Sequence, residues 1–572
     1  MGLERIIRVA RGLEPADLVF TGGRHLNVFS GEVLEGDVAV AGGTIAGIGS
    51  YRGRRRVNLG GDILLPGFID AHIHLESTLL SIPEFARAVV PRGTTTVLTD
   101  PHEIVNVMGL AGLDYMISSS RSLPLDVYFM ASSCVPATRF ETAGGRVTAA
   151  GIRKALRRPR VLGVAEMMDV PGVLSGDPEV LRKIRAGHSR RIDGHAPLVS
   201  GKDLSAYVAA GIRSDHECTR IEEAREKLRL GMTIMIREGT TEKNISALAP
   251  LVTPETASRF LLVSDDKHVD DLLDRGHMDE NLRRAVSAGI DPITAVRMAT
   301  INPALYMGLS DRGAVAPGCL ADLAVVSDLE TFRVRAVYKG GCLAAANGRP
   351  VWKKRRAVLP ARRAMRVADF SIDRLLVPVR PGRIRVIEIV PGQILTRSIL
   401  EDPSVAGGLA AADPGRDIAK IAVVERHKAS GRVGLGFVRG FGLKAGAIAS
   451  TVAHDSHNLI VVGTNDRDMA ACVRHLVRSG GGLCAAHDGR IAATLPLPIA
   501  GLMSDRDAEV VAGRLALVKA AATILGSSLS DPFMHLSFLA LPVVPELRLT
   551  DRGLVDVRRF EIVPLYEPEK SS

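Results

Sequence analysis

Between residues 68 and 312 short apolar runs of β-type composition alternate with longer amphipathic stretches, and this alternation limits the chain to few architectures. The β-type runs lie at 68–74, 94–100, 126–132, 161–167, 191–195, 212–216, 232–237 and 260–265. Helix-like stretches fit between them, for example at 83–90, 177–186, 202–210, 222–230 and 281–288. A strand that recurs after a helix-length crossover pairs in parallel with the one before it. Eight such units over about 250 residues is the size of a (β/α)8 barrel, in which chemistry is done at the C-terminal ends of the strands. The last residues of each run therefore bear first on function.

Those residues are rich in metal-ligand types. The first run delivers His72 and His74, whose i, i+2 spacing puts both imidazoles on one face of a strand. The fourth run ends near Glu166, the fifth in His195, the sixth in His216 and the eighth in Asp265. The second adds Asp100-Pro101-His102-Glu103, with Asp100 and His102 as candidates for supporting the centre or for a further metal. A His-x-His pair alone is weak evidence; ligand types at this many strand ends and few strand interiors are much stronger. A barrel kept only as a binding scaffold has no need of six ligands around one point, so the pattern favours an enzyme. His25, His188 and His268 read as surface histidines.

Short β-segments with glycine turns flank the barrel at 17–62 and again at 313–349, and we expect them to meet in one small β domain. The expected division is a β domain from 1–65 plus 313–355, a barrel over 66–312, a basic, proline-containing linker at 356–380, and an α+β domain over 381–572. In that last part Gly480-Gly481-Gly482 reads as a helix stop, since no Lys-Ser or Lys-Thr follows to make a phosphate loop. His487-Asp488-Gly489 reads as a hairpin.

A length of 572 residues exceeds one ordinary core. The net charge of +10 is modest, and the basic runs near 52–56, 157–160 and 353–356 lack interleaved aromatics to stack bases, so no nucleic-acid partner is expected. No segment approaches the roughly 20 apolar residues of a membrane span, nor is there a signal peptide core, and the expected location is the cytoplasm. Six scattered cysteines without a CxxC pair fit a reducing compartment.

The stretches at 66–77 (PGFIDAHIHLES), 93–109 (GTTTVLTDPHEIVNVMG), 163–173 (GVAEMMDVPGV), 193–197 (DGHAP), 214–217 (SDHE), 235–240 (MIREGT) and 264–266 (SDD) resemble the amidohydrolase superfamily, and within it the bacterial adenine deaminases. The resemblance continues through 454–458 (HDSHN) and 495–505 (LPLPIAGLMSD), a C-terminal part that most amidohydrolases lack. It implies hydrolytic deamination of free adenine to hypoxanthine and ammonia, in purine salvage. The alternative is another cyclic amidine or cyclic amide hydrolase on the same barrel. It also implies a binuclear centre, with His72, His74 and Asp265 on one metal and His195 and His216 on the other. Many relatives bridge their metals with a carboxylated lysine; no lysine occurs in 161–170, and Glu166 stands where an anionic bridge is wanted. Manganese or iron is implied ahead of zinc, and a homodimer is the expected assembly. Asp265 is the natural proton shuttle to the leaving amine, and Glu217 is a candidate donor to ring N1, with a solvated loop acid as its alternative. Asp455 and His457 either shape a local turn or close the pocket over the base.

Overall fold

In the computed structural model, which describes residues 2–360, 364–390 and 395–567, all eight barrel strands form. They are Phe68–Ile73, Thr94–Thr99, Asp126–Ala131, Val161–Met167, Arg191–Gly194, Ser214–Asp215, Thr233–Arg237 and Phe260–Val263. The first five make one sheet and the last three another, with every pair parallel. The sheets curl toward each other. On one side Asp265 N donates to His72 O at 3.0 Å and His74 N to Asp265 O at 3.3 Å; on the other Arg213 N donates to Ile192 O at 3.1 Å.

Strand six is shorter than the sequence pattern predicts because a side chain takes over its bonding. Asp215 accepts from Ala196 N at 2.7 Å and from Glu217 N at 3.2 Å, which ends the ladder and fixes the loops after strands five and six. Below the strand ends, Ile69, Ala71, Leu98, Met130, Ala165, Met235, Leu261 and Val263 meet Tyr306 and Met307 in one apolar cluster. The barrel is thus a packed core and not a pore.

The two flanks meet as their composition suggests. Strand Ile63–Pro66, which runs directly into barrel strand one, pairs antiparallel with Leu323–Val326 in a seven-stranded sheet. A second, four-stranded sheet uses Leu18–Thr21, Val38–Ala41, Thr44–Ile48 and Arg56–Asn58.

The C-terminal part is built on an eight-stranded mixed sheet. Helix Asp466–Ser479 is capped by the Asn465 side chain, which accepts from Asp468 N at 2.8 Å, and ends at Gly480 in the left-handed region (φ 80°). The triple glycine is therefore a helix stop. Asp488 (φ 51°) and Gly489 (φ 75°) turn the hairpin between Gly482–His487 and Arg490–Pro496.

Met365, Val367, Phe370 and Ile372, in the stretch read as linker, pack on the apolar core of this sheet. One apolar core runs from the barrel into the C-terminal part, joining Ile73, Leu80 and Phe85 to Leu502, Met503, Val511 and Leu515. Two histidines read as surface residues are buried instead. His25 (1% exposed) lies in a strand of the flanking sheet, and His268 (6%) faces Asp531 of the C-terminal part at 3.4 Å. No helix among the described residues is long and apolar enough to cross a membrane.

Candidate metal centre

The six side chains singled out as ligands come together at the barrel mouth. His72 Nε2 and His74 Nε2 each lie 3.3 Å from Asp265 Oδ1. Glu166 sits between two groups: Oε1 is 3.3 Å from His74 Nε2, while Oε2 is 2.8 Å from His195 Nδ1 and 3.3 Å from His216 Nε2. One carboxylate thus turns one oxygen toward each of two histidine clusters, the disposition a bridging ligand needs. Sets of ligand atoms within 4.8 Å of one another include His72, His74 and Glu166; His72, His216 and Asp265; and Glu166, His195 and His216.

The donor set fits divalent cations. His72 Nε2 and Glu166 Oε1 are buried with no hydrogen-bond partner, an arrangement that burial makes costly unless a cation meets them. His74 Nδ1 lies 3.0 Å from the Asp100 carbonyl, so Nδ1 carries the proton and Nε2 keeps its lone pair for the centre. Asp265 adopts φ 59°, a left-handed conformation that turns the strand end so that its carboxylate faces back across the mouth. Ser133 Oγ donates to the Glu166 carbonyl at 2.6 Å, and Lys227 Nζ, buried, donates to Asp215 at 3.0 Å and to the Ala196 carbonyl at 2.7 Å. These bonds hold the backbone on either side of His195 and His216.

The charges are mutually stabilising. Burial alone would raise the Glu166 carboxyl, but the charge of His216 and hydrogen bonds from His195, His216 and His74 hold it well below the ordinary range. Asp265 is likewise opposed by burial and held well below it by His72, His74 and Arg237. Burial opposes charge on His216 too, yet Glu166 and Glu217 raise it well above the ordinary imidazole value. Imidazoles must be neutral and carboxylates ionised to ligate, so metal uptake at this cluster competes with protonation.

Glu217 and Arg237 form a pair beside the ligands. Arg237 Nη1 and Nη2 donate to the two Glu217 oxygens at 2.6 and 2.9 Å, and Nη1 also donates to Asp265 Oδ2 at 2.8 Å. Against the desolvation of burial, Arg237 and His195 hold the Glu217 carboxyl far below its ordinary range. Glu217 is therefore no solvated loop acid but a largely buried carboxylate paired with Arg237 beside the cluster. Arg237 was not among the residues singled out from sequence, although its position at the end of strand seven was a usable signal. The side chains of His195 (18% exposed) and Glu217 (11%) are the most open of the group, so the remaining access lies on their side.

Asp100 and His102 stand next to the centre. His102 Nδ1 is 3.1 Å from Asp100 Oδ2 and 3.5 Å from Glu166 Oε1, and Asp100 accepts from Ser132 Oγ at 2.7 Å. The C-terminal turn reaches the same place. His457 Nε2 bonds Glu103 Oε2, His454 Nδ1 lies 2.7 Å from Glu103 Oε1, and Asp455 Oδ1 lies 3.7 Å from His102 Nε2. Asn458 spans the seam as well, donating to the Thr142 carbonyl at 2.9 Å. Glu103 and His454 had been quoted only within longer motifs.

Comparison with known proteins agrees with this construction. Residues 63–344 match the amidohydrolase family model, and residues 393–561 match that of the adenine deaminase C-terminal domain. An adenine deaminase of Desulfatibacillum aliphaticivorans is 49% identical over 570 residues, covering 99% of this chain and 100% of that one. Adenine deaminase 2 of Carboxydothermus hydrogenoformans is 49% identical over 568 residues, covering 98% and 99%. An adenine deaminase of Dehalococcoides mccartyi is 47% identical over 564 residues, covering 98% and 99%. With both of its parts matched and its full length shared with these relatives, the chain belongs to the adenine deaminase family of amidohydrolases.

Proposed function

We propose that this chain hydrolyses free adenine to hypoxanthine and ammonia, and that it does so with a pair of divalent ions at the barrel mouth. The observation that carries the two-metal reading is Glu166, which offers one oxygen to His74 and the other to His195 and His216. His72, His74 and Asp265 would hold one ion, His195 and His216 the other, with Glu166 between them. Manganese, iron and zinc all suit this nitrogen and oxygen donor set, and kinship with the adenine deaminases favours manganese or iron. When bound, such ions lower the pKa of a water to about 7 and so supply a nucleophile near neutral pH.

The chain's own residues handle the protons. Water brings two: one must reach ring N1 and the other the departing amine. Glu217 and Asp265 are both ionised at the start, so each can accept a proton and pass it on. Glu217 serves N1, and Asp265 serves the amine nitrogen, which leaves as ammonia. Arg237, bonded to both carboxylates, keeps them charged until they take those protons.

Asp455 and His457 close the pocket from the C-terminal side, excluding water around a base with little surface of its own to bind. Asp455→Ala should accordingly raise KM for adenine. We also divide the chain into a β domain (1–65 and 313–355), a barrel (66–312), a connector (356–380) and a C-terminal domain (381–572). Its place in purine salvage follows from the product, and a cytoplasmic site is supported by free thiols at all six cysteines, five of them buried.

The test is a spectrophotometric assay of manganese-loaded enzyme on adenine, adenosine, guanine, cytosine and dihydroorotate. Loss of adenine alone is the expected result; turnover of another ring in its place would overturn the substrate assignment. Chelation should abolish activity, with recovery best on Mn²⁺ or Fe²⁺.

A further inference from the structure

Next to the centre, but on the far side of His102, four further ligand-type atoms converge at the seam between barrel and C-terminal domain. Glu103 Oε1 lies 2.7 Å from His454 Nδ1 and 3.3 Å from His102 Nε2. Asp455 Oδ1 lies 3.7 Å from His102 Nε2 and 3.8 Å from His454 Nδ1. All four side chains are at most 6% exposed. Four ligands at about 2.0–2.1 Å from a tetrahedral ion stand roughly 3.3–3.4 Å from one another, and the observed separations straddle that value.

The surrounding hydrogen bonds leave these atoms free to ligate. His102 Nδ1 faces Asp100 Oδ2 at 3.1 Å, so it carries the proton and the lone pair of Nε2 points at the cluster. Asp100 is itself fixed by Ser132 Oγ at 2.7 Å. A carboxylate behind a histidine in this way is the usual support of a metal-binding imidazole.

His457 plays a different part. Its Nδ1 accepts from Ala453 N at 3.1 Å, which puts the proton on Nε2, and Nε2 then donates to Glu103 Oε2. His457 is thus no ligand; it holds one Glu103 oxygen and leaves Oε1 to the cluster. The His454 ring is set by stacking on Phe538 at 4.8 Å between centroids and 16° between planes.

A second observation points to a cation. Asp455 Oδ2 is buried without any hydrogen-bond partner, in a residue 3% exposed. Two buried carboxylates with one oxygen unmet are costly as they stand. A dication among two carboxylates and two neutral imidazoles makes the group electrically balanced.

We propose that His102, Glu103, His454 and Asp455 bind a third divalent transition-metal ion, separate from the pair at Glu166, which pins the C-terminal domain onto the barrel. Two nitrogen and two oxygen ligands in a closed four-coordinate shell suit zinc best and mark the site as structural, because the protein fills every position. Two ligands come from the first turn of the helix after barrel strand two (His102–Met108) and two from a turn more than 300 residues later, so the ion closes a long loop between domains.

The test counts metal in the full-length protein. Apoenzyme reconstituted with excess Zn²⁺ and then desalted should carry three ions per chain by inductively coupled plasma mass spectrometry. His454→Gln should carry two, and Glu166→Gln should lose metal from the pair while retaining this third ion. A wild-type count that stops at two, or an unchanged count in His454→Gln, overturns the proposal. Crystals of the unmodified chain soaked in Zn²⁺ answer the same question without a variant. An anomalous peak enclosed by the four side chains supports the site; peaks at the Glu166 pair with none at the seam refute it, and leave the proposed reaction untouched.

Discussion

Glu166→Gln is the sharpest perturbation of the centre, because it keeps the shape of the side chain and removes one charge. Glu166 approaches His74, His195 and His216 within 2.8–3.3 Å and is almost fully buried, so water cannot replace the lost anion. The amide retains one oxygen but turns an NH2 toward the other cluster, where a cation would sit. Removing one partner from a buried set of charges costs about 3–5 kcal/mol. At about 1.4 kcal/mol per decade that weakens binding of at least one ion by roughly two to nearly four orders of magnitude. Equilibrium dialysis against buffered Mn²⁺, read by mass spectrometry, should show metal content lower by at least one ion per chain at a concentration that saturates the wild type. The far-ultraviolet circular dichroism should be unchanged. A variant that binds its full complement with wild-type affinity would remove Glu166 from the bridge.

Three further outcomes follow from the same contacts. Asp265→Asn keeps an oxygen at the centre but cannot take a proton, so kcat should fall by about 100-fold or more in a folded protein; near-wild-type turnover would take Asp265 off the proton path. Arg237→Gln removes the cation that holds Glu217 far below its ordinary range, so the acid limb of the kcat/KM pH profile should move to higher pH; an unmoved limb would detach Glu217 from catalysis. His268→Gln addresses stability at the seam. Burial opposes charge on His268, but the hydrogen bond and charge of Asp531 win, so its pKa lies above the ordinary 6.5. A group raised on folding stabilises most below its unfolded value and loses that contribution as pH rises through its folded value. The wild type should therefore lose melting temperature relative to His268→Gln as pH climbs above 6.5, and parallel curves for the two proteins would refute the pairing.

The fold of the barrel and the side chains gathered at its mouth were largely legible in the sequence because both are local signals. Strand and helix periods are written within each segment, and a side chain such as His72 or Glu166 sits at or near the end of the run that positions it. What escaped was set by residues distant in sequence. The pairing of Glu217 with Arg237 was not read, because Arg237 lies 20 residues on and only the folded mouth brings the two together. His268 read as a surface residue for the same reason, since Asp531, which it faces, lies in the C-terminal part. Glu103 could not be given a role at all. Its partner His457 is 354 positions away, and no pattern around either residue points to the other.

That long-range pairing bears on why the C-terminal domain is there. A barrel ending at Arg356 would keep every side chain of the Glu166 cluster, and on that ground alone it could stand as a unit. The packing argues otherwise. Leu80, Ile82 and Phe85 belong to the same buried core as Leu502, Met503 and Val511, so removing the C-terminal part would expose an apolar face. The loss would also be polar: Glu103 would surrender the His454 and His457 contacts, and Asp270 the ammonium of Lys519 at 2.8 Å. Glu103 immediately follows His102, whose Nδ1 stands 3.5 Å from Glu166, so disturbance at the seam reaches the centre through two adjoining side chains. The domain therefore shares one apolar core with the barrel and, at the same seam, holds Glu103 beside the Glu166 cluster, so packing and the surroundings of that cluster depend on one interface.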